Sequence, residues 1–301
     1  MAPFPIIDPH QHFWDLGANY LPWLSDEELI PFRYGDYSAL KRNYLPPDYR
    51  ADAAGIDVIG TVYVEAEWDP SDPVGETRWV SELAGASGLP TAIVAQAWLH
   101  REDAAETLAA QAAFPRVRGI RQKPAAAPTP KSARRGAPRS MDDGKFRDGF
   151  SKLQPLGLSY DLQTPWWHLD AALDLARDFP ATQIILNHTG LPADRSPEGL
   201  AGWRQAMDAL ADAPNVALKI SGLGQPGLPW TIEANGGVVR DAISMFGTDR
   251  CMFASNFPVD GLCAGFRTIY DGFFAITADM EAADRERLFR RNAERLYRLK
   301  P

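Results

Sequence analysis

Close to the amino terminus an apolar lead-in runs into Ile7-Asp8-Pro9-His10-Gln11-His12-Phe13-Trp14. Strand side chains alternate with a period of two, so His10 and His12 are expected on the same side. Two neutral imidazoles at that spacing can take two positions around one metal ion, typically zinc. The same spacing also suits two hydrogen-bonded histidines that merely close the end of a sheet. Further downstream, chemistry-bearing residues fall at the ends of other apolar runs: Glu65 and Glu67, Arg118 and Arg121, His188, Lys219 and Ser221, and Asn256. Asp260 lies on the loop just beyond Asn256, and His168 follows an apolar run by a few residues. Arg118 and Arg121 are read as pointing alike, and Lys219 as lying along an interior where Glu65 could pair with it.

The elements that must position these groups are short, apolar and β-branched. They run over Pro5–His12, Val58–Trp68, Pro90–Leu99, Val117–Gln122, Leu158–Thr164, Gln183–Thr189, Val216–Gly222 and Cys251–Phe257. AIVAQAW and QIILN are apolar on both faces, as strands buried in a parallel sheet must be. Helical periodicity fills the gaps. Leu200, Trp203, Met207 and Leu210 form a stripe behind Ser196 and Pro197, which read as cap and first-turn residue. A last helix is expected over about Ala283 to Leu299. This alternation predicts an α/β fold, a closed (β/α)8 TIM barrel spanning 1–301 as a single domain. A doubly wound open sheet is the alternative, but no Gly-rich phosphate turn follows an early strand. Two connections are long, from Trp14 to about Asp48 after the first strand and from Lys123 to Gly144 after the fourth. Both leave carboxyl ends of strands, so both are expected to build the mouth of the barrel, where His168 and Trp14 join the substrate-binding candidates. Of five histidines, only His100 falls away from the strongest positions.

Composition narrows the class. A chain of 301 residues with 45% hydrophobic and 23% charged residues fits a soluble enzyme. A formal net charge of −8 excludes a general nucleic-acid footprint. There is no apolar run long enough for a membrane helix and no secretory leader pattern. Cys251 and Cys263 are too few for a disulfide framework, so a cytoplasmic location is expected. A homo-oligomer is compatible with all of this.

The segments IIDPHQHFWD, GIRQ, ILNHTG, VALKISG and MFASNFPVD resemble the amidohydrolase superfamily. More narrowly they resemble its amidohydrolase-2 branch of metal-dependent-hydrolase-like TIM barrels, which includes sugar lactonases and 2-pyrone-4,6-dicarboxylate lactonase. The resemblance spans all the predicted strands. It implies lactone or related C–O hydrolysis, with decarboxylases and hydratases in the wider family. It also implies that the residues matching the first-strand pair, His10 and His12, and the sixth-strand histidine, His188, line the site and are candidate catalytic and metal-binding residues. One position departs from the pattern. Where the family ends strand eight with an aspartate that binds metal and activates water, this chain has Asn256. An amide is no general base at neutral pH and is a weak metal ligand. A divalent metal such as zinc is therefore one option and catalysis without metal the other, with Asp260, Glu65, Glu67 or His188 as the replacement base.

Lactone hydrolysis needs an activated water, a polarised carbonyl and stabilisation of the oxyanion, for which Arg121 and Lys219 are suited. Lys123, Lys131, Arg134, Arg135 and Arg139 cluster on the second long loop. Paired arginines such as Arg134 and Arg135 can capture a carboxylate, which predicts an anionic small-molecule substrate, a carboxylated lactone. The alternatives are a metal-dependent decarboxylase of a small unsaturated or aromatic acid, and a non-catalytic barrel that binds a small acid.

Overall fold

A computed structural model describes residues 4–299. Each predicted apolar run contains one strand: β1 (Ile6–Gln11), β2 (Val58–Val64), β3 (Ala92–Gln96), β4 (Val117–Arg121), β5 (Ser159–Leu162), β6 (Ile184–Leu186), β7 (Val216–Ile220) and β8 (Cys251–Phe253). They form one eight-stranded parallel sheet in the order β1 to β8. The strands stop earlier than the apolar runs do. Chemistry-bearing residues lie in the last part of the strands, as His10, Arg121, Asp161 and Lys219 do, or just beyond them, where Glu67, His188 and Asn256 turn with positive φ.

The seam between β1 and β8 closes the barrel through Gln11 paired with Phe257. His12 N–H donates to Phe257 O at 2.8 Å, and Asn256 N–H donates to His10 O at 2.8 Å. Asp8 pins the same seam below. It accepts from Ser255 N (2.8 Å), Ser255 Oγ (2.6 Å) and Tyr49 Oη (2.8 Å).

The β1–β2 register shifts between Asp8 and Gln11. Ile7 belongs to the inner apolar cluster with Val62 and Val64, whereas Asp8 reaches outward to Tyr49. Strict alternation would place His10 with Asp8. The irregularity at Pro9 adds the extra residue that re-aims both imidazoles to the interior, the usual effect of a bulge beside a functional site.

Helices cover the outside of the sheet. Ser196 Oγ caps Pro197–Ala211 by accepting from Gly199 N at 3.0 Å, and Trp203, Met207 and Leu210 of that helix are buried. The carboxyl-terminal helix is not uniform: Ala282–Glu286 and Asn292–Leu296 are α-helical and flank a π-helical turn, Arg287–Arg291. Tyr297 beyond it plugs the barrel floor, with its hydroxyl 3.0 Å from both oxygens of Asp161. Among the described residues no helix is long and apolar enough to cross a membrane.

Candidate active site

A cavity of about 280 Å³ opens over the carboxyl ends of the strands, with His12, Arg121, His188 and Asn256 in its wall. The rings of His10 and His12 lie 5.0 Å apart, and those of His10 and His188 lie 4.5 Å apart. The structure thus brings the three histidines singled out in the sequence onto one floor. Glu67, His188 and Asn256 hold φ of 60, 53 and 55°. Such left-handed backbone is costly outside glycine, least so for asparagine, and concentrates where a site imposes it.

Each imidazole has a defined partner. His12 Nδ1 lies 2.7 Å from Val64 O. A carbonyl only accepts, so this bond assigns the ring proton to Nδ1 and leaves a lone pair on Nε2. Nε2 faces Asn256 Oδ1 at 3.3 Å. The amide is oriented from behind, because Asn256 Nδ2 donates to Asp260 Oδ1 at 2.6 Å. His188 Nδ1 meets Ser221 Oγ at 3.0 Å. Lys219 Nζ approaches His10 Nδ1 at 3.5 Å, leaving His10 Nε2 buried without a partner. Burial pushes all three rings well below the ordinary imidazole value, seconded by Lys219 at His10, Arg121 at His12 and Arg33 at His188. All three are neutral at neutral pH.

Asp260 is spoken for. Besides Asn256, it accepts from Tyr34 Oη (2.8 Å), Gly222 N (2.9 Å) and Arg33 Nη2 (3.3 Å). Burial raises its pKa, and these donors with the Arg33 charge work against that rise. With both oxygens engaged, it orients Asn256 and does not face the cavity as a free base. Glu65 is likewise bound to Arg121, and Lys219 pairs with Asp161 at 2.6 Å and not with Glu65. Arg118 faces away from Arg121 and donates to Pro115 O at 2.7 Å, since residues three apart in a strand lie on opposite sides.

The two long loops diverge. The first delivers Trp23, Phe32 and Arg33 to the cavity wall, while the second contributes Lys123 alone. Arg135 is held on the outer surface by Asp142, Asp170 and Asp174 at 2.6, 3.0 and 2.7 Å, and Arg134 donates to Lys131 O and Ala133 O. Neither arginine reaches the cavity. His168 Nε2 accepts from Ala127 N at 2.8 Å and anchors that loop. Trp14 Nε1 donates to Arg42 O at 2.7 Å, behind the His12 ring.

Sequence reasoning missed Arg33 and Asp161. Asp161 had a signal, a lone carboxylate inside the buried run Ser159–Leu162. Arg33 had none, because nothing in an irregular loop shows which charge turns inward.

The donor set does not fit a resident divalent ion. Among the described residues no three His, Cys, Asp or Glu side chains are placed to hold one. The family carboxylate is an amide, and the Lys219 ammonium beside Nδ1 of His10 puts that ring's proton on Nε2.

The family model described as amidohydrolase matches residues 7–299. The chain belongs to the amidohydrolase family. This amidohydrolase is 43% identical over 299 residues to an uncharacterized protein of Sinorhizobium fredii, covering 99% of this chain and 100% of that one. It is 28% identical to an L-fucono-1,5-lactonase of Burkholderia ambifaria, over 86% of this chain and 82% of that protein. A solved amidohydrolase from Burkholderia multivorans with bound HEPES superposes with a TM-score of 0.81 at 26% identity, covering 99% of this chain and 100% of that one.

Proposed function

We propose that this amidohydrolase opens a lactone, using His12 as general base and no resident metal. The observation that carries the reading is the His12–Asn256 pair, two acceptors 3.3 Å apart with their orientations set from behind. A water seated against the pair donates toward both and turns a lone pair to the cavity. His12 Nε2 takes a proton as that water attacks the ester carbonyl. Arg121 and Lys123, both in the wall, stabilise the oxyanion. Collapse breaks the ring C–O bond, the imidazolium returns its proton to the alkoxide, and a hydroxy acid leaves. The lactonase relative, at 28% identity, supports the same reaction class.

The substrate bears a carboxylate in this reading. Arg33, Arg121 and Lys123 face the cavity, paired with Asp260, Glu65 and Glu67 in turn, and Arg33 Nη1 is buried with no partner of its own to compete with a substrate carboxylate. These residues take the role that the sequence suggested for Arg134 and Arg135.

A panel of carboxylated and neutral lactones, assayed by proton release with and without chelator, tests the proposal. Turnover is expected to survive chelation, and His12→Gln to lower kcat by about 10²-fold or more with KM little changed. Activity abolished by chelator and restored by zinc rejects the metal-free base.

A further inference from the structure

The catalytic cavity shares part of its wall with a neighbouring hollow. Trp23, Ile30, Pro31 and Glu67 line the cavity on one side and also line this second, larger hollow of about 760 Å³. The outer hollow adds Trp68, Trp98 and Leu29, carried by the loops after β1, β2 and β3. Leu29 and Ile30 are 41% and 47% exposed, and they sit beside two partly buried indoles instead of being scattered over the surface. Trp23 is fixed as the divider, with Nε1 donating to Ala66 O at 2.8 Å and its ring stacked 5.8 Å from Phe32. Ligand sites are lined mostly by apolar and aromatic side chains with a few placed polar groups, and the two adjoining hollows together have that make-up.

Charge divides the two hollows. Arg33, Arg121 and Lys123, each paired with one carboxylate, face the inner one, whereas Asp26, Glu27 and Glu28 rim the outer one. Glu67 stands at the junction, held to Lys123 at 2.8 Å. An acidic group is therefore repelled more strongly at the outer rim than at the charge-balanced inner end.

We infer that the Trp23–Trp68–Trp98 hollow is a second subsite that takes an apolar arm of the substrate, an alkyl chain or aryl ring without an acidic tip. This rests on the lactone reading for the inner site and extends it: the substrate is a lactone with a hydrophobic substituent, larger than a compact sugar lactone. The ester sits over His12, and the arm passes Glu67 to lie against the indoles.

The test uses δ-lactones that differ only in the substituent beside the ring oxygen: methyl, hexyl, 2-phenylethyl or 5-carboxypentyl. The hexyl and phenylethyl compounds are expected to exceed the methyl compound in kcat/KM by about tenfold or more. The carboxypentyl compound is expected to lose that gain and to recover it in Glu27→Gln/Glu28→Gln. Trp98→Ala erases the gain and leaves the methyl compound unchanged. Leu29→Ser, at an exposed side chain, gives the same comparison if Trp98→Ala fails to fold. Binding of the matching lactams, followed by tryptophan fluorescence, reads the subsite without turnover. Lactam arms that tighten binding in a protein hydrolysing no lactone keep the subsite and sink the lactonase reading. Lactones hydrolysed with no benefit from an arm, or a benefit that survives Trp98→Ala and Leu29→Ser, overturn the subsite.

Discussion

The Val64 carbonyl accepts a hydrogen bond from Nδ1–H of His12, and what His12 offers the cavity follows from that bond. With Nδ1–H committed, only Nε2 can accept a proton, and it does so beside an amide that Asp260 prevents from flipping. Aspartate in place of Asn256 would set two buried carboxylates against each other. The amide is the residue that Asp260 permits there, since it offers Nδ2 backward and Oδ1 forward. Protonation of His12 removes the base, so the pH profile reports its pKa. Burial first, and then the Arg121 charge, lower that pKa well below 6.5. Measured across pH, kcat/KM is expected to stay level through neutrality and to fall with unit slope only on the acid side of 6.5. An acid limb centred at or above 7 contradicts a buried neutral His12 as base.

At the scale of elements, the end of β2 shows how a strand terminus is held open. Glu76, in the first turn of the helix Pro73–Ser87, accepts from Tyr63 Oη at 2.7 Å and from Ala66 N at 2.6 Å. It thereby fixes the turn that carries Glu65 and Glu67. Burial, and next the Glu65 carboxylate, push its pKa up to about 8 from 4.5. A raised acid pKa means that the folded state holds a proton the unfolded chain has released. Stability therefore falls as pH climbs from about 4.5 to about 8, by on the order of 1 kcal/mol per pH unit, and levels off above. Glu76→Gln keeps an acceptor for Tyr63 and Ala66 and is expected to flatten that slope. Urea midpoints between pH 5 and 8 check it; an unchanged slope assigns the dependence elsewhere. The loop after β4 is built the opposite way, tied outward by Arg135 to three aspartates, and so it leaves the mouth to the loop after β1.

Across the whole molecule, one buried network spans the barrel interior. Lys219 on β7 meets Asp161 on β5, Asn187 beyond β6 donates to the same carboxylate at 3.1 Å, and Tyr297 closes it from the carboxyl end. Both charged side chains are fully buried, and burial lowers the Lys219 pKa against the pull of Asp161. Such a pair adds little over an apolar core, yet breaking one half leaves an uncompensated charge. Asp161→Asn is expected to cost about 3–5 kcal/mol in denaturant unfolding. The double change Asp161→Leu/Lys219→Met, which removes both charges, is expected to recover much of that loss. Equal damage by both variants means that shape, and not charge pairing, holds the floor.

The amino-acid sequence by itself determined the alternation of strands and helices, because burial on both faces demands continuous apolar runs and each run is local. Strand ends brought four histidines to the mouth, His168 among them, and the resemblance to the amidohydrolase family singled out His10, His12 and His188; His168 instead anchors a loop. The caps followed too: Ser196 and Pro197 act through bonds within one turn. The tertiary structure decided the rest. It decided the aim of His10 and His12, which depends on a register shift between two strands. It decided that Asp260 serves Asn256 and that Lys219 chooses Asp161 over Glu65, because pairing across a barrel depends on distances between residues far apart in the chain. It also decided that Arg33 enters the site while Arg134 and Arg135 leave it. A loop's direction is set by the contacts its ends and side chains find, and for Arg135 those were three aspartates on the far side of the rim.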